Sequence, residues 1–102
     1  MKSISVEEFV RIWNDLSEDA IVLDVREEEE YEERHVPGSL NVPLSSIGKG
    51  FNELNKFRKI YLICQSGSRS SYAQEVLKTA GIDTINIEGG LNAFAKTGFD
   101  FE

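Results

Sequence analysis

Near its amino end, the chain carries apolar residues at alternating spacings of three and four. This spacing places them on one face of a helix that packs against a core. Ser5 and Glu8 stand three positions apart, as in a capping box, so the helix is predicted to begin after Ser5. Trp13 belongs to the apolar stripe and is predicted to lie in the core. The stripe consists of Val6, Phe9, Val10, Trp13 and Leu16.

The other apolar runs are short and nearly continuous, which is typical of strands in a buried parallel sheet. Four such strands are predicted, over residues 20–26, 39–42, 60–63 and 84–87. A helix is predicted over residues 71–78, with Gly81 just beyond its end. The alternation of strands and helices predicts an α/β fold, with a mainly parallel central sheet of about five strands and helices on both faces. A length of 102 residues predicts one domain, residues 1–102.

The composition excludes several classes of protein. A net charge of −7 and a pI near 4.7 argue against a nucleic-acid surface, which would be basic. With one cysteine (Cys64) and one histidine (His35), the chain has no internal disulfide and no metal site rich in these residues. No stretch resembles a signal peptide or a membrane span. We therefore expect a cytoplasmic protein with a reduced thiol and with neither metal, membrane nor nucleic acid as a partner.

Cys64 lies where a predicted strand gives way to a predicted helix. In α/β sheets, ligands bind at this edge. The start of the helix supplies unpaired backbone N–H groups and a partial positive charge, and Gly67 allows the loop amides to curl around an anion. With the positive charge of Arg69 nearby, these groups should lower the pKa of the Cys64 thiol and make it a nucleophile. The alternative is a buried structural thiol.

The segment from Cys64 to Ser70 resembles the active-site loop of the rhodanese-like sulfurtransferases, in which a cysteine is followed by four residues and then often by arginine and serine or threonine. The resemblance implies that Cys64 takes a sulfur atom from a donor, becomes a persulfide and passes the sulfur to an acceptor. The carried group is then the persulfide itself, and no metal or organic cofactor is implied. The implied substrate loop consists of Gln65, Ser66, Gly67, Ser68, Arg69 and Ser70.

Asp24-Val25-Arg26 also resembles a signature of this family, and the resemblance implies that Asp24 and Arg26 brace the cysteine loop. Residues 35–43 resemble the family's Gly-His-Ile-Pro-Gly-Ala segment, although Arg34 replaces the usual glycine. Two roles are open for His35: a general base for Cys64, or a structural hydrogen-bonding group, which we favour.

Residues 88–94 resemble the family's Glu-Gly-Gly segment, with Phe94 in place of the usual tryptophan. Gly89 and Gly90 are expected to form a tight turn beside the cysteine loop. An acidic run over residues 27–33 is predicted to be the solvated face of a helix, with docking of a basic partner as the alternative.

The implied reaction moves sulfane sulfur from thiosulfate or another persulfide-type donor to a thiol, to cyanide or to a cysteine of a partner protein. The alternatives are a non-catalytic binding or regulatory module, and a phosphatase or arsenate reductase on the same fold. Phosphatase loops of this fold have five residues between cysteine and arginine, and four residues leave a tighter ring suited to a single sulfur. Because Arg69 is the only cation of the loop in an acidic chain, we predict modest efficiency with thiosulfate.

Overall fold

The computed structural model describes residues 2–47 and 51–98. They form a five-stranded, all-parallel sheet in the order β1-β5-β4-β2-β3, which confirms the predicted α/β fold. The single domain predicted for residues 1–102 stays a prediction, and residues 1, 48–50 and 99–102 lie outside the described part. The elements are β1 (Lys2–Ile4), α1 (Val6–Ile12), β2 (Ala20–Asp24), α2 (Glu28–Glu33), β3 (Leu40–Asn41), β4 (Lys59–Ile63), α3 (Ser68–Thr79), β5 (Ile85–Ile87) and α4 (Gly90–Phe94), with 3-10 turns at Trp13–Asp15, Leu44–Ser46 and Phe51–Lys56.

Strand β4 lies in the middle of the sheet, and its side chains alternate between the two faces. Ile60, Leu62 and Cys64 belong to one buried cluster, together with Ala73 and Leu77 of α3. The side chain of Cys64 therefore points to the face that α3 covers. Since α3 begins only four residues after Cys64, its first turn lies next to the thiol.

The opposite face of the sheet is covered by α1 and α4. Phe9 is fully buried there, with its ring centroid 5.2 Å from that of Tyr61 and 5.9 Å from that of Phe94. Trp13 was predicted to lie in the core; it is partly buried and packs against the edge of this cluster, with its ring centroid 5.8 Å from that of Phe9. Helices thus lie on both faces of the sheet.

The ends of the helices follow local chemistry. The Ser5 hydroxyl accepts a hydrogen bond from the Glu8 amide, so α1 begins at Val6 as predicted. Gly81 has a φ of +81°, and the Ile82 amide donates to the Leu77 carbonyl, which closes the end of α3. The predicted start of α3 at residue 71 was wrong: the helix begins at Ser68.

Strand β1 has no counterpart in the sequence pattern, because three residues at the sheet edge are too few to show a period. It pairs with β5, and the Glu88 amide donates to the Ile4 carbonyl. The Gln74 side chain of α3 donates to the carbonyls of Lys2 and Thr84 at 2.8 and 2.9 Å. The amino-terminal strand is thereby tied to the helix that follows the cysteine.

Candidate active site

The Cys64 sulfur lies at the centre of the loop that joins β4 to α3. Its Sγ accepts hydrogen bonds from the backbone amides of Gly67 at 3.0 Å and Ser70 at 3.3 Å. The Ser70 hydroxyl lies 3.4 Å from the same sulfur. The loop therefore curls around the sulfur and directs its N–H groups inward.

This environment changes the acidity of the thiol. Burial by itself raises the pKa of Cys64, but hydrogen bonds from the Ser70 hydroxyl and from the amides of Ser70, Gly67 and Ser66 outweigh it. The net result is a pKa lowered from the ordinary value of a thiol. Cys64 is fully buried in this structure, and the backbone amides and the hydroxyl that surround its sulfur favour the thiolate over the neutral thiol.

Two residues give the loop its curl. Gly67 has a φ of +104°, and a Cβ at this position would lie 3.2 Å from the Gly89 amide nitrogen, so only glycine fits without strain. The Ser70 hydroxyl, with one proton to donate, lies near three acceptors: the Cys64 sulfur, the Gly67 carbonyl at 3.1 Å and the Asn86 Oδ1 at 2.6 Å. Asn86 thus links the loop to β5.

The turn at Gly89 and Gly90 packs against the backbone of the cysteine loop. The Leu91 amide donates to the Cys64 carbonyl at 2.9 Å, and the Asn92 amide donates to the Gln65 carbonyl at 3.0 Å. The Gln65 side-chain amide donates to Asn92 Oδ1 at 2.7 Å. The start of α4 therefore fixes the carbonyls on one side of the loop while the amides turn toward the sulfur.

Asp24, the last residue of β2, and Arg26 form a buried ion pair. Arg26 donates from Nε and Nη2 to the Asp24 carboxylate at 2.9–3.1 Å, and its backbone amide donates to the same carboxylate at 2.9 Å. Arg26 Nη2 also donates to the Arg34 carbonyl, and Asn41 donates to the carbonyls of Asp24 and Arg26. Asn41 thereby ties the end of β2 to β3, and the Val25 amide ties it to β4 by donating to the carbonyl of Ile63, the residue before Cys64.

The Arg69 guanidinium makes a bidentate ion pair with Glu30 of α2, with Nη1–Oε1 at 2.7 Å and Nη2–Oε2 at 2.9 Å. Hydrogen bonding to Arg69, opposed by burial, lowers the pKa of Glu30 to about 2. The acidic run predicted as solvated thus contributes one carboxylate to the site, and the positive charge expected from Arg69 is already paired.

The remaining predicted residues lie around this centre. The Ser66 and Ser68 side chains are exposed on the rim of the loop, with their hydroxyl oxygens 3.4 Å apart. The His35 ring stacks on Tyr31 at 3.8 Å, and its Nδ1 lies 2.7 Å from the Tyr31 carbonyl oxygen. These contacts favour the structural role for His35.

Sequence reasoning missed Glu30, Asn86 and Asn92. Asn86 gave a faint signal, as the polar residue between Ile85 and Ile87 in an apolar strand. Asn92 gave no signal because polar residues are common after a turn. Glu30 gave no signal because it lies within a run of carboxylates.

Two further properties concern the part of the chain that the structure describes. It contains no cluster of three or more His, Cys, Asp or Glu side chains able to hold a metal ion. None of its helices has the length and apolar character needed to cross a membrane.

An all-parallel α/β sheet with a cysteine in an amide-lined loop at its central strand defines a class of thiol-dependent domains. The rhodanese-like domain family matches residues 5–97, and the chain belongs to that family.

Similar proteins agree with this assignment. The chain is 45% identical over 78 residues to "Putative sulfur carrier protein YrkF" of Bacillus subtilis, an alignment that covers 76% of this chain. The chain spans only 42% of YrkF. A rhodanese-like domain protein of Staphylococcus aureus superposes with a TM-score of 0.87 at 31% identity, covering 100% of this chain and 99% of that one.

The likeness in fold extends to a protein whose function is not known. A protein of unknown function from Rhodopseudomonas palustris, described as a possible tyrosine phosphatase, superposes with a TM-score of 0.90 at 20% identity. The superposition covers 100% of this chain and 85% of that protein. At this identity the likeness concerns the fold alone, so the function has to be argued from the site.

Proposed function

We propose that this protein is a sulfurtransferase that carries sulfane sulfur as a persulfide on Cys64. The donor is thiosulfate or a persulfide-type compound, and the acceptor is a thiol, cyanide or a cysteine of a partner protein. One observation carries the proposal: the Cys64 sulfur accepts hydrogen bonds from the amides of Gly67 and Ser70 within a tight loop. Membership in the rhodanese-like family supports it.

In the first half-reaction, the Cys64 thiolate attacks the sulfane sulfur of the donor. A new S–S bond forms, the bond from that sulfur to the rest of the donor breaks, and the leaving group departs with the electron pair, as sulfite when the donor is thiosulfate. In the second, the acceptor attacks the outer sulfur of the persulfide and Cys64 leaves as a thiolate. No net oxidant or reductant is needed.

The loop stabilises the negative charge at each stage. The amides of Gly67 and Ser70 point at the position where the charge of the thiolate resides, and the other loop amides would serve the outer sulfur. Sulfur is the carried group, so the proposal includes no metal or organic cofactor. It also includes a cytoplasmic location, where an unpaired thiol stays reduced.

The paired state of Arg69 argues against the phosphatase alternative. Phosphate transfer requires positive charge for the oxygens of the transferred group, but both terminal nitrogens of Arg69 are bound to Glu30. The loop also has four residues between Cys64 and Arg69, whereas phosphatase loops of this fold have five and form a wider ring of amides around the phosphate. A purely binding role leaves the lowered pKa of the thiol without a use.

The intact mass of the protein tests the proposal. Wild type incubated with thiosulfate, or with cysteine persulfide, should gain one sulfur atom, about 32 Da, and cyanide should remove it with release of thiocyanate. Cys64→Ser should gain nothing from either donor. A folded, fully reduced wild type that gains no sulfur from either donor would instead favour the binding module.

A further inference from the structure

We propose that Glu30 is a specificity-determining residue that disfavours small dianionic donors such as thiosulfate. By pairing with Arg69, it leaves the site suited to persulfide-type donors, R–S–SH, in which a thiol carries the sulfane sulfur. The inference rests on the proposed sulfur transfer and assigns its donor class.

The contacts of Glu30 show how firmly it holds Arg69. Each carboxylate oxygen binds one terminal nitrogen of the guanidinium, the geometry in which arginine and carboxylate interact most strongly. Glu30 Oε1 also accepts a hydrogen bond from the Glu27 amide at 3.1 Å, which fixes the carboxylate at the start of α2. Both side chains of the pair are 36% exposed, so the pair lies at the surface of the site.

The charge of Arg69 would otherwise be available to a donor at Cys64. Arg69 lies in the first turn of α3, next to Ser70, whose amide donates to the Cys64 sulfur at 3.3 Å. The pKa of Arg69 is raised, first by the hydrogen bond to Glu30 and also by the negative charge of Cys64, as expected for a guanidinium close to the thiolate. With Glu30 ionised, the two side chains carry no net charge. A donor of charge −2 then meets no net attraction from them, and the overall charge of −7 opposes its approach.

A persulfide donor does not depend on that attraction. The Cys64 thiolate attacks the outer sulfur of R–S–SH, the new S–S bond forms as the donor S–S bond breaks, and R–S⁻ leaves with the electron pair. The proton of the outer sulfur stays on the new persulfide or passes to solvent. The group R contributes its own contacts with the protein. Neutralising the charge of Arg69 therefore slows the reaction with thiosulfate more than the reaction with a persulfide donor.

The test compares the rate of Cys64 persulfide formation, measured by intact mass, with thiosulfate and with cysteine persulfide. Glu30→Gln keeps an oxygen that accepts from the Glu27 amide while it removes the charge. The ratio of the thiosulfate rate to the persulfide rate should rise about tenfold in this variant. The rise should shrink between 0.1 and 1 M salt, as the screening length falls from about 10 to about 3 Å.

Two further variants isolate the pair. Glu29→Gln makes the same change of charge at the exposed neighbouring position of α2 and should leave the ratio unchanged. In the double variant Glu30→Gln with Arg69→Gln, the ratio of the thiosulfate rate to the persulfide rate should not rise, because the rise requires the guanidinium that Glu30→Gln releases.

The outcomes separate this inference from the proposed function. If wild type forms the persulfide but Glu30→Gln leaves the ratio unchanged, or slows both donors equally, Glu30 has no role in donor choice. An equal rise in Glu29→Gln would mean that general charge, and not the pair, is responsible. If wild type forms no persulfide with either donor, the proposed sulfur transfer itself is wrong.

Discussion

Gly90 packs directly against the backbone of Cys64. A Cβ at Gly90 would lie 2.2 Å from the Cys64 carbonyl oxygen and 2.8 Å from that of Gln65. The close approach lets the Leu91 amide bond the Cys64 carbonyl, so the shape of the cysteine loop depends on a residue far along the chain.

Gly90→Ala is therefore expected to destabilise the protein and to slow persulfide formation. Its φ of +58° adds strain to the clash. Gly81→Ala is the matched control, since Gly81 has a φ of +81° but nothing within 4 Å of the added Cβ. Gly81→Ala should cost about 1 kcal/mol in free energy of unfolding, measured in urea. Gly90→Ala should cost about 1–3 kcal/mol more, and equal costs would contradict the clash.

Ser70→Ala should make Cys64 less reactive near neutral pH. The Ser70 hydroxyl is one of the groups that lower the pKa of Cys64, so its loss should raise that pKa and reduce the thiolate fraction. We expect alkylation by iodoacetamide at pH 7 to slow about fivefold, with the pH profile displaced to higher pH. The exposed neighbour Ser71→Ala should alkylate at the wild-type rate. An undisplaced profile for Ser70→Ala would show that the backbone amides suffice.

Asp24→Asn should be strongly destabilising, because it leaves the buried Arg26 guanidinium without its counter-charge. The two side chains are 0% and 3% exposed, and breaking such a pair costs about 3–5 kcal/mol in free energy of unfolding. Asp19→Asn, which removes one member of the exposed pair with Arg58, should change stability little. Similar urea midpoints for the two variants would argue against a bracing role for Asp24.

The Glu30–Arg69 pair should give stability a particular dependence on pH. The pKa of Glu30 is lowered from 4.5 to about 2 in the folded protein, so the carboxylate favours folding at pH values above 4.5. That contribution should be lost as the pH falls from 4.5 toward 2. The difference in unfolding free energy between wild type and Glu30→Gln should narrow over this window.

Arg69→Gln removes the other half of the pair and serves as the reciprocal control. The difference between wild type and Arg69→Gln should narrow over the same window. A difference that stays constant from pH 6 to pH 3 in both variants would mean that the pair adds nothing to stability.

The sequence by itself determined the order of most elements and singled out Cys64 and its loop as the candidate site. Continuous apolar runs indicated buried parallel strands, and the spacing of Val6, Phe9 and Trp13 indicated a packed helix. These patterns are local. They can be recognised in the sequence because a strand or helix that packs against a core must place apolar residues at the spacing of its buried face. The step from strand to glycine-containing loop to helix marked Cys64, since that arrangement directs backbone amides at one point.

Only the tertiary structure decided which distant residues meet at that point. The pair of Glu30 with Arg69, the link of Asn86 to Ser70 and the contact of Gly90 with Cys64 join residues 39, 16 and 26 positions apart. No local period marks such contacts, and one carboxylate within an acidic run looks like the next. The order of the strands and the packing of the helices decide which of these residues come into contact. They thereby decide whether the positive charge of Arg69 is paired with Glu30 or available beside the Cys64 thiolate.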